Sequence, residues 1–337
     1  MSTFAKSTFN ASTYSASRPT YPPQLFQYIF SFHRRVNKAH KPEWERAVDL
    51  GCGTGQATEH LRSFREVIGI DPSQGMIEKA RAQVGNAGIG PTFTFLQGSG
   101  EELSKVLPEN ESVDLIVSAQ ASHWFDWSKV WPEVNRVLRP GGTAAFWVYA
   151  EFQLPQYPSL SSRITDYAQG SDPQRSVGQY FQRPGRTILE RHLVDVPEPS
   201  SILNNGGLDD LNRVYFIGDH IPSFIPANAT TKPILMRTDM RWRDLLGYFR
   251  TWSALHNYHE KYPEDAKKEE DPRFLEQDIA DSSEPGDIDE MRKGDIAIRF
   301  WKDLRQGALD STPDARVGVE DKVTVEWPLA LLLTTKQ

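Results

Sequence analysis

Between Arg46 and Tyr149 short apolar runs alternate with amphipathic stretches. Arg46–Leu50, Glu66–Asp71, Thr92–Gln97, Val113–Ala119 and Thr143–Tyr149 read as strands, and Gln56–Phe64, Ser73–Val84 and the stretch around Trp127–Leu138 read as the helices between them. Parallel neighbours cannot be joined by a tight turn and need crossovers of this kind, so the alternation predicts an α/β architecture with a parallel sheet. Arg139-Pro140-Gly141-Gly142 supplies the helix stop and turn chemistry before the fifth strand.

On either side the periods change. Leu25–His33 predicts a helix with Leu25, Ile29 and Phe32 on one face. Past Tyr149 the alternation loosens, with Gly185–Leu193 as a short helix and Asn212–Ile217 as a strand. Asp239–His259 then sets Trp242, Leu245, Leu246, Phe249 and Trp252 on one helical stripe, a pattern that belongs more often to a core than to a ligand site. Ile288–Leu304 reads as a further helix, and Lys322–Thr335 as a closing strand that alternates and then runs apolar. There is no internal repeat.

Composition narrows the function classes. A chain of 337 residues can bury a large core, as one domain or as a domain with an insertion. Its net charge of −7, without a basic cluster, argues against a nucleic-acid partner and for small-molecule substrates. The single cysteine, Cys52, excludes an internal disulfide framework and suggests a packing role. The longest apolar candidate, Pro328–Leu333, is strand-sized against the ~20 residues of a membrane span. The Ser/Thr-rich start, Met1–Ser17, matches neither a secretory nor a transit signal, so the expectation is a cytoplasmic protein without a membrane partner.

Two segments stand apart. Residues 1–23 read as an arm that proline keeps extended from Arg18 to Pro23, either a tail or a flap carrying Tyr14 and Tyr21 over a site. Residues 264–295 hold 13 acids against 5 bases, a net −8 larger than that of the whole chain, and read as a solvated loop.

The chemistry concentrates at Val48-Asp49-Leu50-Gly51-Cys52-Gly53-Thr54-Gly55-Gln56-Ala57-Thr58, a strand end, a glycine turn and an expected helix start. Glycines at alternate positions let the backbone turn tightly and approach a ligand, and a helix N-terminus beyond them would aim free N–H groups at it. The next predicted strand ends in Asp71, 20 residues after Gly51, where an α/β nucleotide fold places a carboxylate for a ribose diol. A nicotinamide-dependent oxidoreductase uses a similar turn and acid, but Gly51-x-Gly53-x-Gly55 lacks its glycine spacing and Asp49 has no role there. A non-catalytic cofactor-binding regulator is the other alternative.

These motifs resemble the class I S-adenosylmethionine-dependent methyltransferases. Val48–Thr58 is similar to the family's first motif, Asp71 to its ribose-binding acid, and Gln97-Gly98-Ser99-Gly100-Glu101 to the adenine loop, with Ser99 where an acid is usual. Val113–Asp126, through Ser118-Ala119-Gln120-Ala121-Ser122-His123-Trp124, and Arg136–Gly142 resemble the small-molecule methyltransferases of the trans-aconitate type; Tyr14–Pro22 and Tyr248–Ser253 resemble its fungal branch.

The resemblance implies a Rossmann-like, seven-stranded, mostly parallel sheet with an antiparallel last strand, helices on both faces and a helical lid insertion. The core would take residues 24–220 and 320–337, and 221–319 would form the lid, including the acidic loop. S-adenosyl-L-methionine would be the cofactor, with no metal; the oligomeric state stays open. Asp49 would take its ammonium, Gly51, Gly53 and Gly55 would line its methionine portion, Asp71 would hold the ribose, and Met76, Ser99, Glu101 and Gln120 would complete the pocket.

Methyl transfer from a sulfonium is an in-line displacement in which the protein chiefly positions the reactants and excludes water. A carboxylate acceptor is already ionised at neutral pH and needs cationic donors, for which Arg18 and Arg250 are candidates. A hydroxyl acceptor would gain from a base, and His123 stands at the end of the fourth strand, as base or as orienting wall. Tyr14, Tyr21, His123, Trp124 and Trp252 are the candidates for touching the substrate.

Overall fold

Arg46–Leu50 (β1) pairs in parallel with Glu66–Asp71 (β2) on one side and Val113–Ala119 (β4) on the other. The structure is a computed structural model and describes residues 18–35, 43–84, 90–204, 206–281 and 291–337; Tyr14 lies outside them. Thr92–Gln97 (β3), Leu138–Tyr149 (β5), Asn212–Phe216 (β6), Thr230–Lys232 (β7) and Leu329–Thr335 (β10) complete an eight-stranded sheet of order β3-β2-β1-β4-β5-β10-β6-β7. β10 runs antiparallel to both β5 and β6. This is the expected Rossmann-like α/β sheet, with the short β7 added at its edge. The strand order reverses between β1 and β4, and the crevice beyond their carboxyl ends is where such sheets bind ligands.

The sheet belongs to a unit of residues 20–150, 184–236 and 328–337. Its faces follow from strand alternation. Val48, Leu50, Ile116 and Phe146 point into a core with Trp127, Val130, Trp131 and Val134 of helix α3 (Trp127–Val137). On the other face helix α1 (Pro23–His33) sets Phe26 edge-on to Trp147, at a centroid distance of 5.7 Å. Helix α2 (Gln74–Gln83) starts at Ser73, whose side chain accepts from the Met76 N–H.

One expected helix is nearly absent. In place of Gln56–Phe64 there is a single tight turn of 3-10 helix, Thr58–Leu61. The glycines before it have φ of 71°, 54° and 91°, and the Gly55 N–H turns back to the Cys52 carbonyl. Apart from one bond to the fourth residue back, Glu59 N–H to Gly55 O, the turn is closed by bonds to the third residue back, such as His60 N–H to Ala57 O, so it stays a tight 3-10 turn and no regular α-helix follows the glycines.

The second unit comprises residues 18–19, 151–183 and 237–327 of the described chain. Residues 221–236, which the resemblance put in the lid, fall in the sheet unit, and 151–183, which it put in the core, fall in this second unit. Its helices are α4 (Ser161–Gln169), α6 (Trp242–Arg250), α7 (Ser253–Lys261), α8 (Leu275–Asp281) and α9 (Ile296–Ser311). The long helix expected over Asp239–His259 divides at Thr251-Trp252, where the Thr251 hydroxyl donates to the Tyr248 carbonyl at 2.6 Å and Trp252 turns to an extended conformation. The aromatic stripe is core: Trp242 and Phe249 are fully buried.

Two further expectations are corrected. The closing strand breaks at Pro328, which offers no N–H; Lys322–Trp327 (β9) pairs with Met236–Arg241 (β8) in a separate two-stranded sheet, while Leu329 onward joins the main one. The acidic stretch is not simply solvated, because Asp265, Asp278 and Asp295 are buried and paired with Arg299, Arg305 and Arg250. Among the described residues no helix is long and apolar enough to cross a membrane.

Candidate active site

The turn leaving β1 is built around two carboxylates. Asp49 is fully buried; its Oδ2 accepts from the Thr58 hydroxyl at 2.6 Å, while Oδ1 is buried without a hydrogen-bond partner among the described residues. Burial drives its carboxyl up to about 7, with the nearby negative charge of Asp71 adding to the rise and the Thr58 hydrogen bonds opposing it. An unmatched acceptor at such depth costs free energy unless a donor arrives. The arrangement is complementary to a cationic group.

Asp71, at the end of β2, accepts from the Gly53 N–H at 3.0 Å through Oδ2 and from the Ser73 N–H at 2.8 Å through Oδ1. It thereby ties the glycine turn to the start of α2. Burial raises its pKa, and these two N–H donors pull it back. A Cβ at Gly51 would lie 2.3 Å from that of Ala121, and one at Gly55 would lie 2.6 Å from a Val84 methyl, so both glycines are needed for packing. At Gly53 an added Cβ would meet nothing within 4 Å. Cys52 is a buried free thiol, in keeping with a packing role.

Met76 is buried on α2. Ser99 precedes the 3-10 segment Gly100–Lys105 without a side-chain capping bond, whereas a Glu101 carboxylate oxygen accepts from the Asp126 N–H at 3.1 Å at the start of α3. Gln120 follows β4 with φ 55°, and its side-chain amide grips the Tyr149 backbone at both ends, donating to O at 3.0 Å and accepting from N–H at 2.8 Å. Its side chain therefore fixes the loop.

Ser122–Trp124 forms a short 3-10 turn just beyond. His123 is buried and its ring centroid lies 4.8 Å from that of Trp124, which is exposed. Tyr21 is buried edge-on to Trp147 at 5.5 Å, in the same unit as the turn. Thus Asp49, the three glycines, Asp71, Met76, Ser99, Glu101, Gln120, Tyr21, His123 and Trp124 belong to one unit, all but Tyr21, Met76 and Glu101 at or just past the ends of β1 to β4.

Arg18, Arg250 and Trp252 belong to the other unit. The Arg18 guanidinium donates to the Thr251 carbonyl at 3.2 Å and lies 5.5 Å from the Tyr248 ring centre. Arg250 forks onto Asp295 at 3.0 and 2.8 Å, an engagement that serves the N-terminus of α9, because Asp295 also accepts from the Ala297 and Ile298 N–H groups. Trp252 packs among Tyr167, Phe181, Tyr248 and Phe249.

Sequence reasoning left three contributors unassigned: Thr58, whose hydroxyl is the partner of Asp49; Tyr149, whose backbone anchors Gln120; and Gly185, against which Trp124 packs. Thr58 closed the quoted motif and Gly185 headed a predicted helix, so each had a positional signal.

The chain has relatives among known proteins. A family model described as a methyltransferase domain matches residues 48–146. The chain is 30% identical over 246 residues to the Saccharomyces cerevisiae protein named "Probable S-adenosylmethionine-dependent methyltransferase CRG1", covering 73% of this chain and 79% of that one. It is 35% identical over 188 residues to an uncharacterized methyltransferase of Mycobacterium tuberculosis, covering 55% and 62% of the two chains. A solved structure from Anaeromyxobacter dehalogenans, described provisionally as a type II methyltransferase, aligns with a TM-score of 0.56 over 94% of this chain and 97% of that one at 21% identity, a likeness of fold.

Proposed function

Because the chain belongs to the S-adenosylmethionine-dependent methyltransferases, we propose that it methylates an oxygen of a small molecule, a carboxylate first and a hydroxyl second. The nicotinamide alternative falls with the family assignment, and S-adenosyl-L-methionine is the cofactor. A cytoplasmic setting and a small-molecule partner belong to the same proposal.

The observation that carries the assignment of residues is the buried, unmatched Oδ1 of Asp49, an acceptor suited to the cofactor's ammonium. The open space at Gly53 suits the methionine portion, and Asp71 suits the ribose hydroxyls. Ser99, free of a capping role, is the better candidate than Glu101 for the adenine. When bound, the cofactor supplies an electrophilic methyl group on a sulfonium.

The protein's part is to hold, orient and keep water out. Asp49 and Asp71 would fix the donor by charge-assisted hydrogen bonds, and the Gln120 clamp would hold the loop bearing His123 in place. A carboxylate acceptor needs no base, which favours that reading; of the two cationic candidates, Arg250 is engaged by Asp295 and Arg18 by the Thr251 carbonyl. The hydroxyl reading is favoured by His123 next to the loop that abuts the glycine turn.

Transfer of a tritiated methyl group from the cofactor to a panel of carboxylic acids and phenols tests the proposal. A methyl ester releases volatile methanol in alkali and a methyl ether does not, so the product distinguishes the two readings; absence of any labelled small-molecule product counts against both.

A further inference from the structure

Trp124 lies three residues past Ala121, whose Cβ abuts the cofactor turn at Gly51. Several features fix its pose. The Trp124 N–H donates to the Ala121 carbonyl at 3.0 Å, and Gln120 is clamped to Tyr149. Gly185, the first residue of helix α5 (Gly185–Glu190), lies so close to the indole that a Cβ there would sit 2.4 Å from Cε3 and 2.6 Å from Cζ3. It would also meet the His123 carbonyl at 3.0 Å. Only glycine leaves room for the ring in this position.

Yet Trp124 is 40% exposed, whereas Trp127, Trp131, Trp147, Trp242, Trp252, Trp301 and Trp327 are 6% exposed or less. An indole fixed in place yet left part-exposed, three residues past the residue that abuts the glycine turn, favours a second π face, because offset stacking adds to the burial of apolar area. Saturated chains of the same size gain the burial alone.

We propose that the exposed indole of Trp124 selects a planar, conjugated acceptor by stacking, and that Gly185 is the positioning residue that sets the indole's pose. The inference rests on the methyl-transfer reading and names an acceptor class for it.

The test is calorimetry on the chain saturated with S-adenosylhomocysteine, comparing cinnamate with its saturated counterpart cyclohexylpropionate, an acid of equal charge and like length. Cinnamate is expected to bind about two- to tenfold tighter, the range of an aromatic pair beyond its area. Trp124→Ala should abolish that preference, Gly185→Ala should lower it by displacing the ring, and Gly185→Ala with Trp124→Phe should restore part of it, since the smaller ring clears the new methyl. Rescue by the smaller ring would not follow from a merely structural role of Gly185.

Equal binding of the two acids, binding of neither, or a preference that survives Trp124→Ala overturns the stacking platform. The preceding titration of S-adenosylhomocysteine reports the cofactor reading on its own. If that product binds and the acids are treated alike, only the platform falls; if it does not bind, both readings fall.

Discussion

The Thr58 hydroxyl donates to Oδ2 of Asp49 at 2.6 Å, and Oδ1 of the same carboxylate is buried with no partner among the described residues. One half of the carboxylate is thus satisfied by the protein and the other half is held ready. This asymmetry makes Asp49 sensitive to pH. Its carboxyl is raised to about 7, by burial foremost, so the folded chain without cofactor binds a proton that the unfolded chain has released. The stability contributed by that proton is full below the ordinary carboxylate range near 3.8 and is lost as pH rises through about 7. Asp49→Asn should flatten this part of the stability-against-pH curve, as read by urea unfolding at a series of pH values.

Cofactor affinity should show the opposite slope. An ammonium needs the ionised carboxylate, so binding should weaken as pH falls below about 7, by up to about tenfold per unit, and Asp49→Asn should bind weakly with little pH dependence. Calorimetry across this interval decides; a wild-type affinity that stays flat while Asp49→Asn matches it would remove Asp49 from the ammonium site.

Asp71→Ala should weaken cofactor binding by about 1.5 to 3 kcal/mol, the scale of hydrogen bonds to a charged group. The variant also frees the Gly53 and Ser73 N–H groups, so its folded state must be checked by circular dichroism before the titration. Unchanged affinity in a folded variant would refute the ribose assignment.

How far the sequence was legible depends on the range of the interactions involved. The strands β1 to β4 were readable because each is a short apolar run whose partners are also short apolar runs, and their bounds agree with the pattern. The helix expected at Gln56–Phe64 failed because three successive glycine conformations and the Thr58 side chain's bond to Asp49 decide that segment, and none of these appears in a helical period. The acidic stretch misled for a different reason. Counting charge along the chain cannot see that Asp265 meets Arg299 or that Asp278 meets Arg305, partners that lie 34 and 27 residues away.

The same pairings separate the acids of 264–295 by consequence. Asp278 is buried on the fork of a fully buried Arg305 at 2.9 and 2.6 Å, so Asp278→Ala should destabilise the chain by about 3 to 5 kcal/mol, the cost of stranding a buried charge. Glu269→Gln and Glu276→Gln, at exposed positions, should stay within about 0.5 kcal/mol. Chemical denaturation of the three variants makes the comparison, and equal effects would show that the stretch behaves as a solvated loop after all.

Arg250 was a candidate for holding a carboxylate acceptor, and its fork onto Asp295 predicts a structural effect instead. Arg250→Ala leaves Asp295 with its α9 N–H donors but without its counter-charge, and should cost on the order of 3 kcal/mol of stability. The discriminating readout is the pair of KM and unfolding midpoint. A raised KM for an acidic acceptor at an unchanged midpoint would return Arg250 to the binding site.

The glycine turn offers the sharpest separation between folding and binding. Gly51 and Gly53 both have positive φ, 71° and 54°, so alanine at either position carries a backbone cost of roughly 1 kcal/mol or more. They differ in what the new methyl meets. At Gly51 it strikes Ala121 at 2.3 Å and must shift the loop that carries Gln120 and His123, so Gly51→Ala should lower the unfolding temperature even without cofactor. At Gly53 it enters space that no described residue fills, so without cofactor Gly53→Ala should lose only the backbone cost, less than Gly51→Ala loses, and it should also lose the added thermal stability that cofactor confers. Thermal unfolding of both variants, with and without S-adenosylmethionine, measures the two effects at once. If Gly53→Ala retained the full cofactor-dependent shift, the open space at Gly53 would not be where the methionine portion lies.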